Sequence, residues 1–245
     1  MCYSTALRKK REEIERRLYQ SLPDPPTFEL PAKYEPFFHL NGFTHGNLQI
    51  IKMDEPSCIY PASWGLVPSW AMNDVNGFRK KSNTLNAKGE TIFSKPSFRD
   101  SASEGRCLII SDGFFEPNHQ NGVSIPHFCY SPSMEHPDGD IFVFAGLFTE
   151  LDDNTFTCSI ITTAANDFFM EVHNKGKRMP LVLDDNFIED WLDDGMTESQ
   201  INELIAVGFT KEEFKAHPIS RDLYKKGIDT NQPYIIEPVE KETLF

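Results

Sequence analysis

The chain has 245 residues, with 39% hydrophobic content and 20 Phe, which suits a folded core and argues against a disordered chain. A net charge of −13 argues against a protein that coats nucleic acid through a broad basic surface. Five dispersed cysteines without a CxxC pair argue against a disulfide framework or a zinc site, and no apolar run approaches a membrane span.

In chain order, residues 7–22 predict a helix with Ile14, Leu18 and Leu22 on one face, stopped by Pro23, Pro25 and Pro26. Strand-like runs follow at 48–53, 57–60, 106–111, 128–130, 141–149 and 156–163. Turn signals stand at Asn121-Gly122, Asp138-Gly139 and Asp152-Asp153-Asn154, so the runs 106–111 and 128–130 are expected to share a hairpin. Helical patterns cover 166–172 and 186–192. Another starts at Thr197, where Thr-Glu-Ser-Gln has capping-box spacing, and ends near Gly208. Irregular strand and loop are expected over 214–240. No repeat or long linker divides the sequence. The expectation is one α+β domain over 1–245, a curved, mostly antiparallel sheet or open β-barrel flanked by helices. The N-terminal segment lacks the charge order of a signal peptide, so a cytoplasmic location is expected.

The chemistry begins at the second residue. Removal of Met1 would leave Cys2 with a free α-amine and a thiol, a 1,2-aminothiol able to attack an aldehyde through nitrogen and close a five-membered ring through sulfur. Cys107, Cys129 and Cys158 lie in apolar runs and read as small buried hydrophobes. Positive charge gathers at Arg79, Lys80, Lys81 and Lys88 and again at Lys175, Lys177 and Arg178, which allows a local basic groove on an acidic body. Further motifs are Trp64-Gly65-Leu66-Val67-Pro68-Ser69-Trp70, Asn86-Ala87-Lys88-Gly89-Glu90-Thr91, Phe114-Phe115-Glu116, Thr163-Ala164-Ala165-Asn166, His173, Arg178-Met179-Pro180 and His217-Pro218-Ile219-Ser220.

In this order, from residue 2 to about 221, the set resembles the SOS-response-associated peptidase (SRAP) family. Its pattern runs Met-Cys, Trp-Gly-Leu-x-Pro-x-Trp, Asn-Ala-Arg-x-Glu-Thr, aromatic-Glu, Thr-x-Ala-Asn, His, Arg-Met-Pro and His-Pro-Val-Ser. The resemblance implies a sensor of abasic sites in single-stranded DNA, linked covalently to the lesion through a Cys2 thiazolidine. It implies Glu116 and His173 as acid–base groups and Asn86 as the side chain that holds the N-terminus and sugar in register. Trp70 would stack on bases, and Arg79, Lys80, Lys81, Lys88 and Arg178 would contact phosphates. No metal, cofactor or membrane partner is implied, and a monomer, nucleoid-associated when engaged on DNA, is expected. Peptidase and Schiff-base lyase activities are compatible with the same residues.

Three positions depart from the pattern. Tyr3-Ser4 stands where most members have Gly-Arg, which removes a phosphate contact; Pro117 replaces a Trp, and Lys88 an Arg with its planar fork. The competing readings are an N-terminal-nucleophile cysteine peptidase or amidohydrolase, and a non-enzymatic single-strand-binding module.

Overall fold

The computed structural model describes residues 2–22, 25–30, 33–152, 155–207 and 213–240. The N-terminal part contains β1 (Ser4–Leu7), α1 (Arg11–Leu18), β2 (Thr27–Phe28), β3 (Phe37–Asn41), β4 (Asn47–Lys52) and β5 (Glu55–Trp64). The middle adds α2 (Val75–Lys81), β6 (Asn86–Lys88), α3 (Arg99–Glu104), β7 (Arg106–Ser111), β8 (Gly113–Gln120) and β9 (Val123–Tyr130). Then come β10 (Phe142–Glu150), β11 (Phe156–Ala164), α4 (Asp167–Val172), β12 (Arg178–Pro180) and β13 (Val182–Leu183). The last elements are α5 (Ile188–Leu192), α6 (Glu198–Val207) and β14 (Lys215–Pro218).

One sheet runs β14-β9-β8-β1-β3, and a larger one runs β12-β11-β10-β7-β4-β5-β2. Within the larger sheet β11 also pairs in parallel with β5, Phe156 opposite Ala62, so that β5, β4, β7, β10 and β11 close into a ring. The α+β class is as expected, and the barrel is closed rather than open. Its strands are apolar on both faces. Cys107 and Ile109 of β7 and Phe142 and Phe144 of β10 pack in one cluster with Trp64, Phe114 and Phe169. Leu108, Ile110, Val143 and Ala145 point the other way, into a cluster with Ile14, Leu18, Trp191 and Leu204 of the surrounding helices. Burial on both sides explains why the sequence shows continuous apolar runs rather than strict alternation.

Two local expectations are corrected. The first helix starts at Arg11 and not at residue 7, because Leu7 is taken up by β1, and Lys10 and Glu13 form the helix start. The hairpin is β8–β9, turned at Asn121 and Gly122 with φ of 52° and 79°, the left-handed pair that a tight two-residue turn demands. β7 pairs instead with β10 and β4. Strand β8 escaped notice because Pro117 and the polar residues after it interrupt the pattern, yet Pro117 lies opposite Pro126 in the ladder. Pairing of β8 with β1 stops at Phe114, and the site lies beyond that point.

At the far end, Thr197 and Gln200 form the expected reciprocal cap of α6, and Gly208 lies outside the described residues, as do Asp153 and Asn154. The C-terminal segment folds back over β3, where Asn231 Oδ1 accepts from the amides of Phe38 and His39.

Candidate active site

β1 is pinned on both sides, and this fixes the two residues before it. The amide of Gly42 donates to the Tyr3 carbonyl at 2.8 Å. Asn86, placed at the start of β6 by parallel pairing with Ile160 of β11, donates Nδ2–H to the Cys2 carbonyl at 2.7 Å. Its Oδ1 is buried without a partner among the described residues, an acceptor held beside Cys2. Cys2 is fully buried, with Sγ 3.4 Å from the Ser4 carbonyl. Burial, reinforced by the neighbouring Glu116, pushes its thiol far above the ordinary cysteine range.

Glu116 and His173 meet from different elements. Glu116 sits on β8, opposite His127 of β9, and is 1% exposed. Burial raises its carboxyl from 4.5 to about 7, so near neutrality it is a mixture of acid and base. His173 follows α4, whose N-terminus is capped by Asn166 Oδ1 accepting from Phe169 N. Its Nδ1 lies 2.9 Å from the Arg178 carbonyl and 3.4 Å from Glu116 Oε2. The carbonyl requires a proton on Nδ1, which leaves Nε2 as the basic nitrogen of the neutral ring. Burial lowers the pKa of this histidine and favours that neutral form. Gly176 packs against the ring: a Cβ there would come within 2.2 Å of Nε2.

Glu116 and His173 line a cavity of about 570 Å³, together with Tyr3, Ser4, Lys88 and Arg178. Lys88 is exposed. Arg178 is forked onto Glu90 through two bonds of 2.9 Å and onto the Thr162 carbonyl at 2.6 Å, so its charge is largely answered within the protein. The other sequence candidates lie elsewhere. Trp70 is 58% exposed, meets Phe78 edge-on, and lines a separate groove with Lys81. Arg79 is half-buried and donates to Ser63 Oγ and the Gly65 carbonyl, while Lys80 is exposed. Trp64 is core, its Nε1–H donating to the Leu85 carbonyl. Sequence reasoning passed over His119, Ser124, Leu223 and Tyr224, which complete the cavity wall; no spacing in the sequence links them to Cys2.

No group of three or more His, Cys, Asp or Glu among the described residues is arranged to hold a metal ion, and no described helix is long and apolar enough to cross a membrane. The fold and the site define an α+β protein with a small closed barrel, in which a buried cysteine at the second position adjoins a buried carboxyl, and that carboxyl meets a neutral histidine at a cavity. The chain belongs to the SOS response associated peptidase (SRAP) family, whose description matches residues 1–226. It is 29% identical over 178 residues to the abasic site processing protein YoqW of Bacillus subtilis (strain 168), covering 71% of this chain and 74% of that one. It is 30% identical over 197 residues to the abasic site processing protein HMCES of Gallus gallus, covering 72% of this chain and 56% of that one. A crystal structure of a protein from Bacteroides thetaiotaomicron superposes with a TM-score of 0.81 at 29% identity, over 98% of this chain and 100% of the other.

Proposed function

We propose that this protein processes abasic sites in single-stranded DNA by capturing the sugar aldehyde on Cys2 once Met1 has been removed. The observation that carries the reading is that buried Cys2 adjoins Glu116, and that Glu116 and His173, 3.4 Å apart, line one cavity. The α-amine attacks C1′ of the ring-opened deoxyribose, and the resulting carbinolamine loses water to give an imine. The thiol then adds to the imine carbon. A C–S bond forms and the thiol proton ends on nitrogen, giving a thiazolidine with net loss of one water and no redox change.

Each residue has a part in that sequence. Sulfur can close the ring only on an imine carbon that nitrogen has already bonded, so nitrogen leads and sulfur follows. Glu116, near pKa 7, donates a proton to the departing hydroxyl and, as carboxylate, accepts the thiol proton. His173 takes the sugar hydroxyl proton through Nε2 during ring opening. Asn86 holds the Cys2 carbonyl and offers Oδ1 to an N–H brought to the site. Strand cleavage by elimination from the imine and removal of Met1 by the same groups belong to this reading as side activities.

The test mixes Met1-processed protein with a single-stranded oligonucleotide bearing one abasic site and resolves it by denaturing gel and intact mass. The expected product has the summed mass less one water. It is absent with Cys2→Ala and with undamaged DNA. No adduct despite a free Cys2 amine would sink the capture reading.

A further inference from the structure

The C-terminal wall of the cavity has features that the capture chemistry does not use. Residues 221–224 form a short 3-10 turn begun by Ser220, whose Oγ accepts from Asp222 N and whose carbonyl accepts from Leu223 N. The stem of the turn is anchored: Ile219 is fully buried in a cluster with Phe115, Phe128 and Ile235, and Leu223 packs against it. At the end of this fixed turn Tyr224 is 47% exposed, yet it lines the same cavity as Glu116 and His173. Its hydroxyl lies 3.3 Å from Ser124 Oγ on β9, which sets the direction of the ring. Arg221, Lys225 and Lys226 lie within three residues of Tyr224 in the chain and are exposed, with Lys225 paired to Asp222 at 2.8 Å. On a body of net charge −13, exposed cations on the same short segment as a half-exposed aromatic ring at a cavity match a single nucleic-acid strand. A base stacks on the ring and its phosphates meet the cations.

We infer that the turn at residues 221–226 is a DNA contact, in which Tyr224 carries the nucleobase next to the lesion and Lys226 meets a flanking phosphate. This rests on the abasic-site reading but not on its covalent step, and the test separates the two.

The probe is a labelled single-stranded oligonucleotide carrying a tetrahydrofuran residue, an abasic analogue without an aldehyde, with 2-aminopurine on one side of it or the other. Binding is read by anisotropy, so no adduct is needed. Tyr224→Ala is expected to weaken binding about 5- to 150-fold, and Tyr224→Phe, which keeps the ring, to recover most of the loss. Parent protein changes 2-aminopurine emission on one side of the lesion, and Tyr224→Ala abolishes that change. Lys226→Ala lowers the slope of log affinity against log salt by about 0.7. Parent-like affinity in a folded Tyr224→Ala protein overturns the inference, as does failure of the parent to bind the probe. Should Tyr224→Ala not fold, unchanged 2-aminopurine emission on both sides with the parent overturns it equally. Tyr224-dependent binding without any adduct on the aldehyde-bearing oligonucleotide supports the turn and sinks only the capture chemistry.

Discussion

Burial at Glu116 has a thermodynamic signature that can be measured apart from catalysis. The carboxyl rises from 4.5 to about 7 because folding removes it from water. The folded state therefore holds a proton that the unfolded chain releases between those values. The protonated acid's contribution to stability is fully present below about pH 4.5 and is lost as pH rises through about 7. It amounts to about 3 kcal/mol, at about 1.4 kcal/mol for each tenfold change in proton affinity. Glu116→Gln removes this dependence. Between pH 4.5 and 8 the unfolding free energy of the parent, measured in urea, is expected to fall relative to that of the variant by about 3 kcal/mol. His39, whose pKa is lowered by burial, destabilises toward acid in both proteins and cancels in the comparison; His173 touches Glu116, so both proteins carry His173→Gln. A flat difference would mean that Glu116 is solvated in the folded protein, and its role as the acid would go with it.

Among the elements, one buried cation ties two short helices to the barrel. Arg106, at the start of β7, is fully buried. It donates to the Ala102 and Ser103 carbonyls at the end of α3, and to the Trp191 and Asp193 carbonyls at the end of α5. Helix ends expose unpaired carbonyls and partial negative charge, and the guanidinium answers both. Arg106→Met keeps much of the volume but strands these carbonyls, each at a cost of about 1–3 kcal/mol unless water reaches it. The variant is expected to lose at least about 3 kcal/mol of stability, seen as a lower urea midpoint with an unchanged m-value. Loss of less than about 1 kcal/mol would show that solvent readily replaces the guanidinium. At this scale the sequence was legible where strands are buried on both faces. The run 106–111 coincides with β7, and 141–149 lies within one residue of β10 at each end. It was illegible for α2 and α3, which are too short to show a helical period, and for β8, where Pro117 interrupts the strand.

Over the whole molecule, charge decides how the protein meets undamaged DNA. The net charge of −13 repels a polyanion at a distance. Two of the cations grouped in the sequence are committed internally, Arg79 to Ser63 and Gly65 and Arg178 to Glu90. Few phosphates can therefore be neutralised, and affinity for undamaged single-stranded DNA is expected near the weak end of about 10⁻⁴ to 10⁻⁶ M at physiological salt. Titration by anisotropy across salt concentrations checks this. Nanomolar binding to undamaged strands would contradict it and would place specificity in non-covalent contacts rather than in the chemistry.

The sequence by itself determined the class of fold, through its doubly buried apolar runs, and supplied the functional groups of the proposed site, in Cys2, Asn86, Glu116 and His173. These are local properties: the hydrophobicity of a run, and the functional groups of a residue. What only the tertiary structure decided was environment and neighbourhood. It brought Asn86 to Cys2 across the β6–β11 pairing, raised Glu116 by burying it, and set the His173 tautomer through the Arg178 carbonyl. It also turned Arg79 and Arg178 inward and placed Tyr224 on the cavity wall. Solvation and pairing depend on contacts between residues far apart in the chain, and for that reason the charge and ring of a single letter could not reveal them.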